Sequence, residues 1–499
     1  MNRAHRVLLV DLNNFARYPT LSIGYMAAVL RAANMSVSVF SPLMVGVGGV
    51  TREVRPHRFS LLMAKLNHHA ATSRIDGVRR WRDRLAASRA SEITAHHDAV
   101  VQGFTEALSR HRPEVVLIST YLMYRSVCER LCALCKQQGI PVVMGGPYFS
   151  QPEIIDDWAA IDGLSALAAG EVELALPAIL HAVLNGQDPS VHSGVVVAHA
   201  AAGTRGAMAP PLKELDAVPF PDYSDFPWAA YPNRIVPIIT GRGCGWGVCT
   251  FCSDVTSTAG RTYRSRSPDN VLSEIATHHR GHGVSRFVFT DLKLNSNVDM
   301  WRRLAVGMQD AVPQGQWIGA VHVGPEPDNG LSAADLQAAA NAGCVRLTTG
   351  LETGSQRIAD LMKKGTRRGA VSDFLHHATA AGISTRCTMV IGYPGETAQD
   401  VHLSAEFLEQ HERVIERVSL NRLQVITGTA LHRRLREQPG RHGSFKIVQE
   451  DARQARVDHR YDEVETAPHR QAVMRLLTAA HRINRKDMNP RAREFEGVM

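Results

Sequence analysis

Three cysteines fall within nine residues in Gly241-Arg-Gly-Cys-Gly-Trp-Gly-Val-Cys-Thr-Phe-Cys252. Cys244, Cys249 and Cys252 are spaced C-x4-C-x2-C. Glycines at 241, 243, 245 and 247 leave the backbone free to curl around a ligand. Three thiolates on one short loop suit an iron–sulfur cluster that keeps one iron open to a substrate. A zinc site would want a fourth Cys or His nearby, and none follows closely. A disulfide framework fails because three is odd and the loop is tight.

A second triplet, Cys128, Cys132 and Cys135, has the spacing C-x3-C-x2-C. These positions are i, i+4 and i+7, one face of a helix, alongside Leu131 and Leu134. The segment lies between the strand-like runs Val115-Val-Leu-Ile-Ser119 and Pro141-Val-Val-Met144, so it reads as the crossover helix of a βαβ unit. Cysteine on a buried helical face acts as a small hydrophobe. This triplet is therefore expected in the core, with a second cluster as the alternative.

The elements that must position the first triplet come in two series. Residues 5–190 alternate strands (7–10, 37–40, 115–119, 141–144) with helices (21–32, 123–138), ending in a strand and a helix around 161–184 and interrupted by a basic helical insert at about 50–112. That alternation predicts a doubly wound parallel α/β domain, with ligands at the carboxyl ends of its strands. A linker rich in Pro, Gly and Ala follows, over about 191–234. From 235 to about 430 six βα units succeed one another, with strands near 235–240, 285–290, 316–321, 345–350, 385–391 and 417–426. This predicts a partial (β/α)6 barrel with its chemistry at the carboxyl strand ends, where the cysteine loop falls. Residues 431–499 read as helical and charged.

The 499 residues, 44% hydrophobic and 21% charged, are ordinary for a globular protein. No run of 18 apolar residues predicts a membrane span, Met1-Asn-Arg-Ala-His-Arg6 leads straight into a strand, and eight scattered or clustered cysteines fit a reducing cytoplasm. The net charge is +8, and only eight of the 56 Lys+Arg residues are lysine. The densest basic stretch, 51–98, holds ten Lys/Arg against five Asp/Glu but no nucleic-acid-binding motif, so neither nucleic acid nor membrane is expected as a partner.

Several landmarks, weak singly but specific in this order, resemble the cobalamin-binding radical S-adenosylmethionine (SAM) family. They are Thr20-Leu-Ser-Ile-Gly-Tyr-Met-Ala-Ala-Val-Leu30, Val142-Val-Met-Gly-Gly-Pro147, Gly170-Glu-Val-Glu173 and Val218-Pro-Phe-Pro-Asp-Tyr223, then Tyr263-Arg-Ser-Arg-Ser-Pro-Asp-Asn-Val-Leu-Ser-Glu-Ile275, Gly350-Leu-Glu-Thr-Gly-Ser-Gln356, Met362-Lys-Lys-Gly365 and Ile391-Gly-Tyr-Pro-Gly-Glu-Thr397. The resemblance covers about 5–430. It implies a Rossmann-like (flavodoxin-like) cobalamin-binding domain, a radical SAM barrel and an accessory region. The family's regular cysteine spacing is that of 128/132/135. The triplet at 244/249/252 carries one extra residue, which a flexible loop tolerates, and position favours it.

The resemblance further implies that Cys244, Cys249 and Cys252 hold a 4Fe–4S cluster whose open iron is chelated by SAM, and that one electron then cleaves SAM to a 5′-deoxyadenosyl radical. It assigns Phe251 to the adenine, Asp291 to the SAM amino group, Glu352 and Ser355 to ribose or methionine, Gly350 to SAM binding, and Gly392 to close backbone approach to the adenine. Gly395 is expected to allow a similar approach, and Glu396 to settle its own loop. Ser119, Thr120, Gly145 and Gly146 are the expected cobalamin contacts. The loop Asp11-Leu-Asn-Asn-Phe15 carries no histidine, which implies cobalt without a His ligand. The expected activity is methyl transfer to an unactivated carbon of a natural-product or peptide substrate, with a reductant such as flavodoxin or ferredoxin. The alternatives are a non-methylating rearrangement or cyclisation, a methylthiotransferase, and a non-catalytic iron–sulfur or cobalamin sensor.

Overall fold

Apolar runs such as Val7-Leu-Leu-Val10 and Val115-Val-Leu-Ile118 suit strands covered on both faces. In the computed structural model they form the centre of a six-stranded sheet. The structure describes residues 4–12, 17–48, 55–149, 151–199, 208–253, 262–438, 440, 443–451 and 455–498, with side chains at 76 and 83–96 outside that description. Strands β1 (Arg6–Asp11), β2 (Ser36–Phe40), β3 (Val115–Ser119), β4 (Val142–Gly145) and β5 (Ala166–Ala168) run parallel, and β6 (Val195–Val197) closes the edge antiparallel. Their order, β2-β1-β3-β4-β5-β6, is the flavodoxin-like winding, which reverses between β1 and β3. Because β6 lies beyond residue 190, the first domain extends into the stretch expected to be linker.

The helices of this half are α1 (Leu21–Ala32), α2 (Ser60–Ala71), α3 (Asp76–His111), α4 (Arg125–Gln137), α5 (Pro152–Ala159) and α6 (Leu176–Leu184). The basic insert is α2 and α3. On α4, Cys128, Cys132 and Cys135 are wholly buried among Val116, Ile118, Met144 and Trp158. Burial pushes the Cys128 and Cys135 thiols up to about 12, so both stay protonated.

The second sheet begins with β7 (Val236–Ile238). The chain then enters a two-stranded ribbon, β8 (Gly241–Arg242) and β9 (Arg264–Ser265), which clamps the base of the cysteine loop. Five further parallel strands complete the sheet: β10 (Arg286–Phe289), β11 (Gln316–Val321), β12 (Cys344–Glu352), β13 (Ser384–Ile391) and β14 (Arg417–Arg422). The order β7-β10-β11-β12-β13-β14 is that of a six-stranded partial barrel. Its outer layer is α7 (Pro268–His282), α8 (Val298–Ala311), α9 (Ala333–Asn341), α10 (Gln356–Leu361), α11 (Arg368–Ala380) and α12 (Ala398–Gln410).

The stretch 417–426, read as one strand, divides in two. After the Leu423 N–H bonds the Ile391 carbonyl the chain leaves the barrel, and β15 (Val425–Ile426) joins a different, antiparallel sheet. The C-terminal region contains the helices α13 (Ala430–Glu437) and α14 (Ala467–Arg485). Between them lies a hairpin, β16 (Phe445–Asp451) and β17 (Arg456–Tyr461), not legible as strand in so charged a sequence. Met488, Ala492, Phe495 and Val498 then pack on Ile235, Val288, Ile318 and Val345, filling the amino end of the barrel.

The two sheets share one continuous apolar core running from Val7 and Leu9 through Tyr223 to Val236 and Ile238. Tyr223 donates its hydroxyl to the Pro237 carbonyl (3.2 Å), and its ring lies against Gly24 on α1, where a Cβ would stand 2.6 Å from it. Arg31 on α1 pairs with both Asp222 and Asp225. A second bond between the halves is ionic. Glu171, after β5, receives both terminal nitrogens of Arg264 (2.8 Å each) and one of Arg242 (3.0 Å), while Glu173 takes Arg242 at 2.9 Å.

These groups are mostly buried, so replacing Glu171 with Gln strands the Arg264 guanidinium and leaves Arg242 with Glu173 alone. The expected cost is about 3 kcal/mol, read from thermal or denaturant unfolding. The arginines hold the Glu171 carboxyl below its ordinary range despite burial. Its contribution is therefore complete above the unfolded carboxyl's range and is lost as pH falls below about 4. The Gln variant should lack that acid-side loss.

Candidate functional site

The cysteine loop is glycine-rich and takes its shape from neighbours. At its base, Asp291, just past β10, accepts hydrogen bonds from the Thr240 N–H (3.1 Å), the Thr240 hydroxyl (2.7 Å) and the Gly241 N–H (3.0 Å). Burial pushes its carboxyl up to about 6, opposed by these donors. Asp291 was expected to face the SAM amino group. Its oxygens are directed to the start of the loop, because backbone donors at a strand end are the nearest partners for a buried carboxylate within the chain.

The turn Met362–Gly365, after α10, holds the middle of the loop. The Thr250 N–H donates to the Met362 carbonyl (2.9 Å), and Trp246 Nε1 donates to the Lys363 carbonyl (2.9 Å). The Trp246 ring covers Gly365, whose φ is +71°, so a Cβ there would overlap the indole. On its other side Trp246 stacks on His322, with ring centroids 5.8 Å apart. His322 Nε2 faces the Lys364 carbonyl at 2.9 Å, and this acceptor fixes the tautomer with the proton on Nε2. Burial and the neighbouring Lys364 and Lys293 bring His322 down to about 3, so the ring is neutral. Its Nδ1 is buried with no hydrogen-bond partner among the described residues.

Cys244, Cys249 and Cys252 are half-buried, and all eight cysteines lie outside disulfides. Among the described residues no three His, Cys, Asp or Glu side chains converge on a point where one metal ion would sit. A four-iron cluster takes one thiolate at each of three irons, so it asks for sulfurs spread around a space rather than converging. Three thiols on a loop braced from both sides fit that demand. Burial pushes the Cys249 thiol up and the nearby Lys364 cation pulls it down.

The remaining predicted SAM contacts occupy one end of the barrel, but most have partners within the chain. Glu352, at φ +59°, takes Lys364 Nζ at 2.9 Å. A Cβ on Gly350 would overlap the Glu352 carboxylate and stand 2.6 Å from Lys364 Nζ, so this glycine makes room for the pair. Ser355 caps α10: its hydroxyl accepts from the Ile358 N–H and donates to Asp400 Oδ1 at 2.6 Å. The Gly392 N–H donates to Glu396 Oε1 (2.9 Å), which also meets His469 Nε2 of α14 at 3.1 Å. Gly395, at φ +90°, donates its N–H to the Tyr461 hydroxyl. Phe251 is partly buried against Ile358, Met362 and Tyr393.

In the first domain, Ser119 and Thr120 are buried at the end of β3. The Thr120 hydroxyl donates to the Tyr121 carbonyl (3.1 Å) and lies 3.4 Å from Cys128 Sγ. A Cβ on Gly146 would overlap the Thr120 carbonyl, so that glycine is required by the protein's own backbone. Gly145 has ordinary room, 3.5 Å from the Ala168 carbonyl. Of the loop after β1, residues 13–16 lie outside the described residues. Exposed apolar side chains collect on loops at the carboxyl ends of both sheets: Met123 after β3, Leu174 after β5, Val248 in the cysteine loop and Leu292 after β10.

Sequence reasoning gave no role to Lys364, His322, Trp246 or His469. Met362-Lys-Lys-Gly365 served only as a landmark, and in a segment this rich in charge its two lysines carried no separate signal. Two outcomes follow. Gly365→Ala should cost about 1–3 kcal/mol from the left-handed backbone and the overlap with Trp246, measured by unfolding. Asp291→Ala removes the acceptor of three loop donors and should lower the iron held per chain after anaerobic reconstitution, with the far-ultraviolet circular dichroism unchanged.

Residues 238–408 match the sequence profile of the Radical SAM superfamily. An uncharacterized methyltransferase of Pyrococcus horikoshii is 24% identical over 338 residues, covering 64% of this chain and 72% of its own. A Methanocaldococcus jannaschii protein with a provisional methylthiotransferase name is 26% identical over 318 residues, 60% of this chain and 66% of its own. Among solved structures, the radical SAM methyltransferase TsrM of Kitasatospora setae, with tryptophan and a SAM analogue bound, superposes with a TM-score of 0.61 at 16% identity, over 90% of this chain and 79% of TsrM. OxsB, a cobalamin-dependent SAM radical enzyme with aqua-cobalamin bound, gives 0.69 at 14% identity, over 91% of this chain and 64% of OxsB. At such identities the two structures establish a shared fold. The profile match takes in the whole cysteine loop, and the superpositions show that the chain shares its fold with these two solved structures.

Proposed function

We propose that this protein is a cobalamin-dependent radical SAM methyltransferase that acts on an unactivated carbon of a small-molecule or peptide substrate. The observation that carries the reading is the tie between two ligand edges. The loop after β4 bonds to the C-terminal region, where Gln151 donates to the Thr427 carbonyl (3.1 Å), and the loop after β5 bonds to the barrel, where Glu171 takes Arg242 and Arg264 at the two stems of the cysteine loop. The loops at the carboxyl ends of β5 and β7 are thus tied together, and Met123, Leu174, Val248 and Leu292 are exposed apolar side chains on loops at such strand ends. A large, flat, partly apolar cofactor between the sheets fits that chemistry, with the cysteines on its barrel side. Serine, threonine and glycine at the ends of β3 and β4 supply no cobalt ligand, in keeping with a corrin held by its edges and tail. The cobalamin-bound OxsB, which shares the fold, supports the same reading.

When bound, these groups supply one-electron cleavage of SAM and a carried methyl. The chain's own residues provide position and exclusion of water. Asp291 fixes where the cysteine loop begins, and the Met362–Gly365 turn fixes its middle. Thr250, on the same loop, shares a 2.7 Å hydrogen bond with the Tyr393 hydroxyl, which anchors it to the end of β13. Tyr461 and His469 of the C-terminal region reach Glu396 and close that side of the barrel mouth.

TsrM was solved with tryptophan, which makes aromatic amino acids and short peptides containing them the first substrates to offer. Anaerobically reconstituted protein, given hydroxocobalamin, SAM, reductant and substrate, should form S-adenosylhomocysteine together with 5′-deoxyadenosine and methylated product. Cys249→Ala should form no 5′-deoxyadenosine. Deoxyadenosine without S-adenosylhomocysteine would point to a non-methylating radical reaction, and a sulfur-bearing product to methylthiolation. Full cofactor binding with neither SAM product would leave a sensor.

A further inference from the structure

The buried ion pair of Lys364 with Glu352 has no role in the reading above, though several contacts fix its position. Carbonyls 362 and 363 are bonded to Thr250 and Trp246, residues on either side of Cys249, so the next residue, Lys364, is set down beside that cysteine. Its own carbonyl is held by His322, and its Nζ by Glu352 at 2.9 Å. Two non-glycine residues pay in backbone strain for this placement: Lys363 at φ +54° and Glu352 at φ +59° both sit in the left-handed region. Strand β12 breaks its register with β13 between Gly350 and Glu352, and Gly350 leaves the space that the pair fills.

We propose that Lys364 and Glu352 form a buried electrostatic couple that sets the reduction potential at the cysteine loop, the cation favouring the reduced state and the carboxylate opposing it. The inference rests on the reading that Cys244, Cys249 and Cys252 hold a 4Fe–4S cluster. One electron from an external one-electron reductant makes the site more negative by one unit, and no bond is made or broken. A cation close by in a poorly screened interior stabilises that added charge, and a neighbouring anion disfavours it. Lys364 is on this account a positioning residue for charge, with no contact to substrate required.

The test is a dithionite titration with redox mediators, followed by electron paramagnetic resonance, on the full chain carrying its reconstituted cluster. Lys364→Met should reduce the ratio of reduced to oxidised cluster about tenfold at a given potential, a midpoint about 59 mV lower. Glu352→Gln should move the midpoint the opposite way by a similar factor, and Lys364→Arg should stay near wild type. A structural role would not give opposite shifts from the two halves of one pair. Should Lys364→Met fail to retain iron, retention by Lys364→Arg supports the need for charge, and loss from both overturns it. Midpoints that stay put, or move together, also overturn the inference while leaving the cluster intact. A wild-type chain that takes up no iron overturns the cluster reading itself.

Discussion

Two backbone carbonyls, those of Met362 and Lys363, are the hinge on which the site's geometry depends. The loop that carries the cysteines is nearly devoid of intrinsic stiffness, since four of its first seven residues are glycine. Its order comes from outside: Thr250 and Trp246 donate to those two carbonyls, and Asp291 gathers the donors at its base. The turn that supplies the carbonyls also carries Gly365 under the Trp246 ring and Lys364 beside Cys249, so sulfur position and local charge are set by one four-residue segment. A loop with its own regular structure would fix its sulfurs at the expense of fitting a ligand, whereas a borrowed frame allows both.

The same economy governs the contact between domains. Arg242 and Arg264 are the stems of the cysteine loop, paired in the β8–β9 ribbon, and both are ion-paired with Glu171 of the first domain. The carboxylate therefore joins the domains and stiffens the ribbon in a single interaction. Tyr223 and the Arg31 pairs reinforce this from the opposite side, through the shared apolar core. The two carboxyl edges are consequently held at a set separation, as a cofactor shared between them would require.

Much of the architecture was legible in the sequence because it rests on local periodicity. The helices at 21–32 and 298–311 and the strands at 115–119 and 316–321 fall where apolar spacing placed them. Features that depend on contacts across long sequence distances were not. The hairpin of β16 and β17 reads as charged coil because its strands are largely exposed and their pairing is with each other. β6 is three residues long and was lost in a Pro/Gly-rich stretch. At the site, residue types were readable but directions were not. Asp291 and Glu352 were correctly singled out as carboxylates at strand ends, yet nothing local reveals that one turns to Thr240 and the other to Lys364. Gly146 likewise reads as an approach for ligand until the Thr120 carbonyl is seen in its space.

The three thiols of α4 bear on how iron finds its place. An unfolded chain presents two cysteine triplets of nearly equal spacing, and metal ions bind unfolded thiols readily. Folding of the first domain withdraws one triplet completely: its sulfurs are packed against Ile118 and Met144, and two of its thiols are pushed up to about 12, far from the thiolate form a metal needs. Order of events thereby becomes a form of selectivity. If Cys244, Cys249 and Cys252 hold the cluster as proposed, a cluster delivered after the N-terminal sheet has closed finds the other triplet already removed by packing.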